Sequence, residues 1–484
     1  MITHQEVPES SKQLNEVPTR RTFILALMAI IPGMMMVMID STAMNVAIPS
    51  LTRDFGVSFD ALQWVITGYM LAMSVTIPLA GWFSDRLGAA KAYIITVILF
   101  VIGSLLCALA QNAMQLTIFR IIQGLGGGMV QPIGMAMVFR LAPENKKGQV
   151  MGMLGIPMLL APASGPVLSG WLLESSGWHW IFLINLPLGI ITVYLGIRHL
   201  FDENSLKITS SLDKRHPLDI IGLFLAPMAF VLLALSINID AVSWLVWLMG
   251  AAGIILLIWL WLHEIKHPHP ILALQAFRAI SFRRGMFVSW IQYIALNGSL
   301  VFIPQYLQNF RGYSPSHAGL IMSMLAITSG LLMPIGGKIF DRVGIRPLAG
   351  SGLGTIALGL MLLSQIGPNT GGVLIGGIVG LLGIGMGLCM MSLNTYILQS
   401  VPAELISRVT PLTSASSNLI IPIAIAGLSN FLAIRATART IQVGGNTSMA
   451  EMAGYSDTFI LTACIALFGA LFSLLLKPKP RNRF

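Results

Sequence analysis

Long apolar runs separated by short polar turns set the pattern of this chain. Segments of about 20 mostly apolar residues, the length a helix needs to cross hydrocarbon, run at 22–46, 61–83, 91–110, 114–139, 149–173 and 178–200. A polar link, Phe201–Pro217, follows, carrying Asp202, Glu203, Lys207, Asp213, Lys214 and Arg215. Two further runs, 218–238 and 243–262, lead into a basic loop ending at Arg284; the last six lie at 285–308, 316–340, 347–366, 372–398, 408–433 and 456–476. The pattern predicts an all-α membrane protein of fourteen transmembrane helices grouped six, two and six. Its parts are a tail (1–21), a six-helix bundle (22–200), a linker with two additional helices (201–284), a second six-helix bundle (285–476) and a tail (477–484).

One hydrophilic motif recurs at matching places in the two halves. GWFSDRLGAAK spans Gly81–Lys91 and GKIFDRVGIRP spans Gly337–Pro347, each after a long apolar run. The shared positions are Gly81, Asp85, Arg86 and Gly88, then Lys91, against Gly337, Asp341, Arg342 and Gly344, then Arg346. A duplicated membrane bundle is the architecture of many secondary transporters.

Composition agrees. Of 484 residues, 55% are hydrophobic and only 10% charged, against about 25% charged in soluble domains. The net charge of +10 falls in short clusters between apolar runs, with no continuous basic face, which excludes a nucleic-acid reading. An even number of spans puts both termini on one side. Nearly all Lys and Arg residues lie there, and only Arg53, Arg311, Arg435 and Arg439 fall opposite, so both ends are expected in the cytoplasm of a multi-pass cell-membrane protein. Cys107, Cys389 and Cys464 each lie within an apolar run and form neither a disulfide framework nor a zinc spacing.

Two charges stand inside spans. Asp40, in MMMVMIDSTAMNVAIP, would cost about 2.5–3.5 kcal/mol in lipid unless it meets water or a partner. A carboxyl so placed can take a proton from one side and release it to the other; the alternative is a group near the helix end that simply reaches water. Arg120, in FRIIQGLGGG, must face the bundle interior, where Asp40, backbone carbonyls or an anionic substrate are its possible acceptors. Gly124, Gly126, Gly127 and Gly128 lack the preceding strand and the Gly-Lys-Ser/Thr of a phosphate loop, and are expected to let helices approach closely. Gly165-Pro166, with Pro157 and Pro162 before it, is expected to bend its helix, as a gate or as a plain kink. Asn45, Gln63, Tyr69, Gln123, Gln292, Tyr293, Asn297, Gln305, Asn394 and Tyr396 are candidates to line a cavity, and 28 methionines suit an adaptable one. His263-Glu264-Ile265-Lys266-His267 has the HExxH spacing of zinc proteases, but Pro268 and Pro270 follow at once and only His269 offers a further ligand nearby, so the cluster is expected to be a loop. No cofactor or metal is expected.

Taken together, these motifs resemble the major facilitator superfamily, and within it the fourteen-helix drug/proton antiporter branch. The two Asp-Arg loops match the superfamily's motif between the second and third spans of each half. Asp40–Pro49 (DSTAMNVAIP) resembles the branch's first-span motif, and Gln63-Trp64 through Tyr69-Met70-Leu71 the start of its second. Arg120–Gly124 (RIIQG) is similar to the fourth-span motif tied to proton coupling, Gly165-Pro166 to the fifth-span motif of exporters, and Trp178–Pro187 (WHWIFLINLP) to the opening of the sixth span. Ala161 and Ser169 stand where the fifth-span motif usually has Gly, and Ala89 and Ala90 replace the usual basic residue. The resemblance implies a monomer with two six-helix bundles around a cavity. A small-molecule substrate would leave in exchange for protons, with Asp40 and Arg120 coupling and the Asp-Arg loops switching conformation. An importer or uniporter on the same fold and, from another class, a membrane metalloenzyme built on His263, Glu264 and His267 are the rival expectations.

Overall fold

The computed structural model describes residues 20–57, 59–201, 219–238, 244–267, 271–367, 370–442 and 447–477. The N-terminal tail up to residue 19, the polar link from residue 202, Pro268, His269 and Pro270, and the C-terminal tail from residue 478 lie outside them, as do the side chains of Asn45, Gln63, Pro162, Pro166 and Asn297.

Each of the fourteen apolar segments is helical. The first set comprises α1 (Arg20–Phe55), α2 (Phe59–Thr76), α3 (Ala80–Leu87), α4 (Ala89–Ala108), α5 (Ala113–Leu141), α6 (Lys147–Ser175), α7 (His179–Leu183) and α8 (Asn185–His199). The inserted pair is α9 (Ile220–Asn238) and α10 (Trp244–Lys266). The last set is α11 (Ile280–Asn309), α12 (Pro315–Val343), α13 (Ile345–Ser364), α14 (Gly372–Gln399), α15 (Ile406–Gln442) and α16 (Thr447–Ser473). Among the described residues, eleven helices are long and apolar enough to cross a membrane, twelve if one bent pair counts as a single span. α6 and α9, each interrupted by residues whose side chains lie outside the description, are not among them, so this count neither reaches the expected fourteen nor contradicts it.

Local chemistry sets the boundaries. Asn112 caps α5 by accepting from Gln115 N at 2.9 Å, while Gln115 Oε1 accepts from Gln111 N at 2.9 Å, a reciprocal arrangement of the capping-box kind. Ser314 caps α12, with Pro315 at the first helical position. The segment expected as one helix over 61–83 is α2 and α3 meeting at a 54° bend. The break falls at Ile77-Pro78-Leu79, where proline withholds an N–H and crowds the preceding turn. Gly88 and Gly344 join α3 to α4 and α12 to α13 with φ of 81° and 86°, values that a side chain would strain. The two sequence repeats therefore fold alike.

Three buried apolar clusters hold the helices. One gathers the inner part of α1–α6 with α9, α10 and the start of α15; a second fills α11–α16; a third packs the far end of α1, α2 and α4 against Trp178, Ile181 and Phe182. Large apolar side chains face outward all round, among them Trp244, Trp247 and Trp259 on α10. An apolar outer surface of this extent fits hydrocarbon as solvent. Between helices, backbones approach closely: a Cβ on Gly126 would fall 2.7 Å from Thr96 O, and one on Gly385 would fall 2.5 Å from Gly352 O. The glycine rows of the two halves thus pack rather than bind phosphate.

Candidate functional site

α1, α4, α5 and α8 bring one polar cluster together in an apolar interior. Asp40 on α1 is 1% exposed, as is Arg120 on α5. Arg120 Nη1 donates to Asp40 Oδ2 at 2.6 Å and to Gln123 Oε1 at 2.8 Å. Asp40 Oδ1 accepts from Gln123 Nε2 at 3.0 Å and from Asn185 Nδ2 at 2.9 Å. Asn185 Nδ2 also donates to Ser104 Oγ at 2.9 Å, whose hydroxyl donates to Phe182 O at 2.9 Å. The carboxylate therefore meets neither lipid nor bulk water, and of the three acceptors open to Arg120 it is the one used.

The cation is held by its faces too. The Arg120 guanidinium carbon lies 4.1 Å from the Tyr69 ring centroid and 5.6 Å from that of Phe182, within cation–π range. Among the described residues, Arg120 Nε, the Tyr69 hydroxyl and Asn185 Oδ1 are buried without a hydrogen-bond partner. Arg120 thus ties up one nitrogen and keeps donor capacity in reserve.

Gly165 sits beside this cluster. A Cβ there would come 2.0 Å from Thr42 Oγ1 and 3.1 Å from Ile39 O. The glycine lets α6 lie against the turn of α1 that carries Asp40. α6 itself runs as one unbroken helix through Pro162 and Pro166.

The Asp-Arg loops meet the other half of the molecule through their aspartates. Asp85 Oδ2 accepts from Arg408 Nε at 2.7 Å and Oδ1 from Ser407 Oγ at 2.6 Å, at the start of α15. Asp341 Oδ1 and Oδ2 accept from Gly148 N at 2.8 Å and Gln149 N at 2.9 Å, capping the first turn of α6. Each carboxylate thus binds the start of a helix in the opposite half, Asp341 through the exposed N–H groups of α6, where the helix dipole favours an anion, and Asp85 through the Ser407 and Arg408 side chains. The glycines permit this approach: Cβ atoms on Gly81 and Gly337 would fall 2.7 Å from Ser407 O and 2.0 Å from Gly148 O. Arg86, Lys91, Arg342 and Arg346 are exposed. Arg86 lies 5.7 Å from the Trp82 ring and Arg346 Nε donates to Leu476 O, both within their own half.

The candidate cavity residues do not form one group. Tyr69 and Gln123 belong to the Asp40 cluster. Gln292, Asn394 and Tyr396 are buried on α11 and α14, and Tyr293 is half-buried. Tyr396 OH accepts from Lys477 N at 3.2 Å and its ring packs on Gly285, so it anchors the chain end. Gln305 is exposed and accepts from Tyr455 OH at 3.3 Å. Sequence reasoning missed Asn185, Ser104, Ser407 and Arg408; Asn185 stood in WHWIFLINLP as a lone amide in an apolar run, a signal that could have found it.

The HExxH stretch is not a loop. α10 continues to Lys266, and His267 N–H still donates to His263 O at 3.0 Å, because the prolines begin only one residue later. Both imidazoles lie on one helix face, ring centroids 5.2 Å apart. Glu264 turns elsewhere, its Oε1 accepting from Ile271 N and Leu272 N at 3.2 and 3.4 Å, so the base that a protease of this type needs is committed to backbone.

The Major Facilitator Superfamily profile matches residues 30–221 and again 218–425. A multidrug resistance protein B homolog of Mycobacterium tuberculosis is 33% identical over 392 residues, 79% of this chain and 71% of that protein. Riboflavin transporter RibZ of Clostridioides difficile is 29% identical over 384 residues, covering 78% of this chain and 82% of its own length. Among solved structures, the human organic anion transporter MFSD10 superposes with a TM-score of 0.64 at 14% identity, over 93% of this chain and 100% of that one, a likeness of fold alone. A duplicated helical bundle, two matching Asp-Arg loops that bind the opposite half, and a profile that matches twice in succession lead to one conclusion: the chain belongs to the Major Facilitator Superfamily and is a multi-pass membrane transporter.

Proposed function

We propose that this transporter is a proton-coupled antiporter that exports amphipathic, drug-like small molecules, with Asp40 as the proton carrier and Arg120 as its sensor. The buried Asp40–Arg120 pair supports this reading most directly. While Asp40 is ionised, Arg120 has a counter-ion. Once a proton neutralises Asp40, Arg120 is a buried cation without one, and such a loss costs about 3–5 kcal/mol. Reversing a two-state population from 1:99 to 99:1 takes about 5.5 kcal/mol. Protonation alone thus brings the molecule close to the switch, and differential binding of substrate to the two states would supply the rest. The free donors of Arg120 give the cation somewhere to turn. The name of the mycobacterial relative supports drug export.

In this reading the chain spans the bilayer fourteen times, with α9 and α10 inserted between two six-helix bundles. Both termini and both Asp-Arg loops lie in the cytoplasm, and alternating access comes from rocking of the bundles. The Asp85 and Asp341 contacts close the cytoplasmic side, and Gly165-Pro166 lets α6 move on α1 as the cavity changes sides.

Purified protein in proteoliposomes with an imposed pH gradient tests this. A panel of lipophilic cations and neutral amphiphiles should accumulate in acid-loaded vesicles, and Asp40→Asn, compared at equal amounts of folded protein because it leaves Arg120 without its counter-ion, should abolish gradient-driven movement. Full pH-driven transport by that variant would remove Asp40 from the mechanism. A second reading, movement of a flavin or other small metabolite, is favoured by the likeness to a riboflavin transporter; riboflavin in the same panel separates the two.

A further inference from the structure

The inserted helix pair carries a cluster that the transport reading does not use. Asp219 caps α9, its Oδ1 accepting from Gly222 N at 2.9 Å. The same oxygen lies 2.8 Å from His263 Nε2 on α10, and Asp219 Oδ2 lies 3.9 Å from His267 Nδ1. One ligand atom from each of Asp219, His263 and His267 falls within 4.8 Å of the others. Tetrahedral zinc with bonds of about 2.0–2.1 Å places its donors about 3.4 Å apart, so small side-chain rotations would bring all three to bonding distance.

A second observation points to a ligand. The Asp219 side chain is 2% exposed, and its Oδ2 is buried without a hydrogen bond. Glu264, also fully buried, leaves its Oε2 in the same condition. The two carboxylates converge on Gly222, where a Cβ would sit 2.6 Å from Asp219 Oδ2 and 2.9 Å from Glu264 Oε1. One buried acid beside two imidazoles forms a mixed nitrogen and oxygen donor set, suited to a borderline divalent ion rather than to magnesium or calcium.

We propose that Asp219, His263 and His267 bind one divalent transition-metal ion, zinc by ligand chemistry, which clasps α9 to α10 with Glu264 as the neighbouring carboxylate. Three protein donors leave one position for water. The clasp is structural. α9 packs on both α2 and α15, so an ion that fixes α9 to α10 steadies a wedge touching both halves of the transporter.

The test uses the tag-free full-length protein in detergent. After dialysis in zinc-containing buffer and removal of free ion, elemental analysis should find about one zinc per chain. Titration with zinc chloride should give a single saturable site, which magnesium chloride does not reproduce. Zinc should raise the thermal transition of the wild type. The His263→Gln/His267→Gln pair and Asp219→Asn should each bind zinc more weakly, by more than the roughly 10–100-fold that outer-shell changes cost, and zinc should no longer raise their thermal transitions. If the double variant fails to fold, His267→Gln alone serves, since that imidazole is partly exposed. Failure of the wild type to retain zinc or respond to it overturns the proposal, and so does equal zinc affinity in wild type and folded variants.

Discussion

At the scale of single residues, the interior cluster is a matter of donor counting. Asp40 offers two oxygens and receives three hydrogen bonds, from Arg120, Gln123 and Asn185. Asn185→Leu leaves Oδ1 to Gln123 alone and strips Ser104 of its amide donor; an abandoned buried polar group costs about 1–3 kcal/mol. Thermal unfolding in detergent should show that loss, and a variant as stable as the wild type would show that the amide is dispensable. Arg120→Lys is no milder than Arg120→Ala for transport, because an ammonium replaces a planar group stacked on Tyr69 and presents a different donor geometry. Efflux assays on both variants at equal expression check this. Asp40 and Arg120 were legible from sequence because a charge in a long apolar run demands a partner. Asn185 carried the same signal as the in-span amides that were singled out, but which of them reaches Asp40 is decided only by the packing of α8 on α1.

At the scale of helices, the same limit recurs in α6 and α10. The Gly165-Pro166 step announces a special place in α6, but only the neighbouring helix says what is special: a Cβ would collide with Thr42 and crowd Ile39 O. Gly165→Ala should therefore force α6 away from α1, at about 1–3 kcal/mol for overpacking. It should also lower Asp40-dependent transport, since the displaced turn carries that carboxylate. Thermal stability and efflux measured side by side test the two effects together; wild-type values in both would mean that α1 and α6 are not held at that contact. In α10 the prolines were expected to dissolve the HExxH helix, yet proline at residues 268 and 270 ends a helix only beyond His267. What the sequence could not supply is Asp219, brought beside His263 by the turn back of α9 against α10.

At the scale of the whole molecule, two carboxylates at matching places hold the halves together on one face. Asp85 binds Ser407 and Arg408 at the start of α15, and Asp341 binds the first N–H groups of α6. The repeat was plain in the sequence, and so was its Asp. Arg86 and Arg342 looked equally eligible there but face outward, because only an acid can accept from Arg408 and from the N–H groups that open α6. The donors, 322 and 193 positions away in sequence, became visible only when the halves were packed. Hydrogen bonds to a charged group contribute about 1.5–3 kcal/mol, which corresponds to a change of about 10- to 150-fold in an equilibrium. Removing one clasp should thus shift the balance between closed and open states of this face without unfolding either half. Asp341→Asn keeps one acceptor oxygen for the two N–H groups of α6, and Asp85→Asn loses the ion pair with Arg408 while keeping an acceptor for Ser407. Distances between spin labels placed on exposed ends of α3 and α12 should lengthen in a larger fraction of molecules for each variant, and most for the pair. An unchanged distance distribution in the double variant would mean that apolar packing between α6 and α12 closes this face alone.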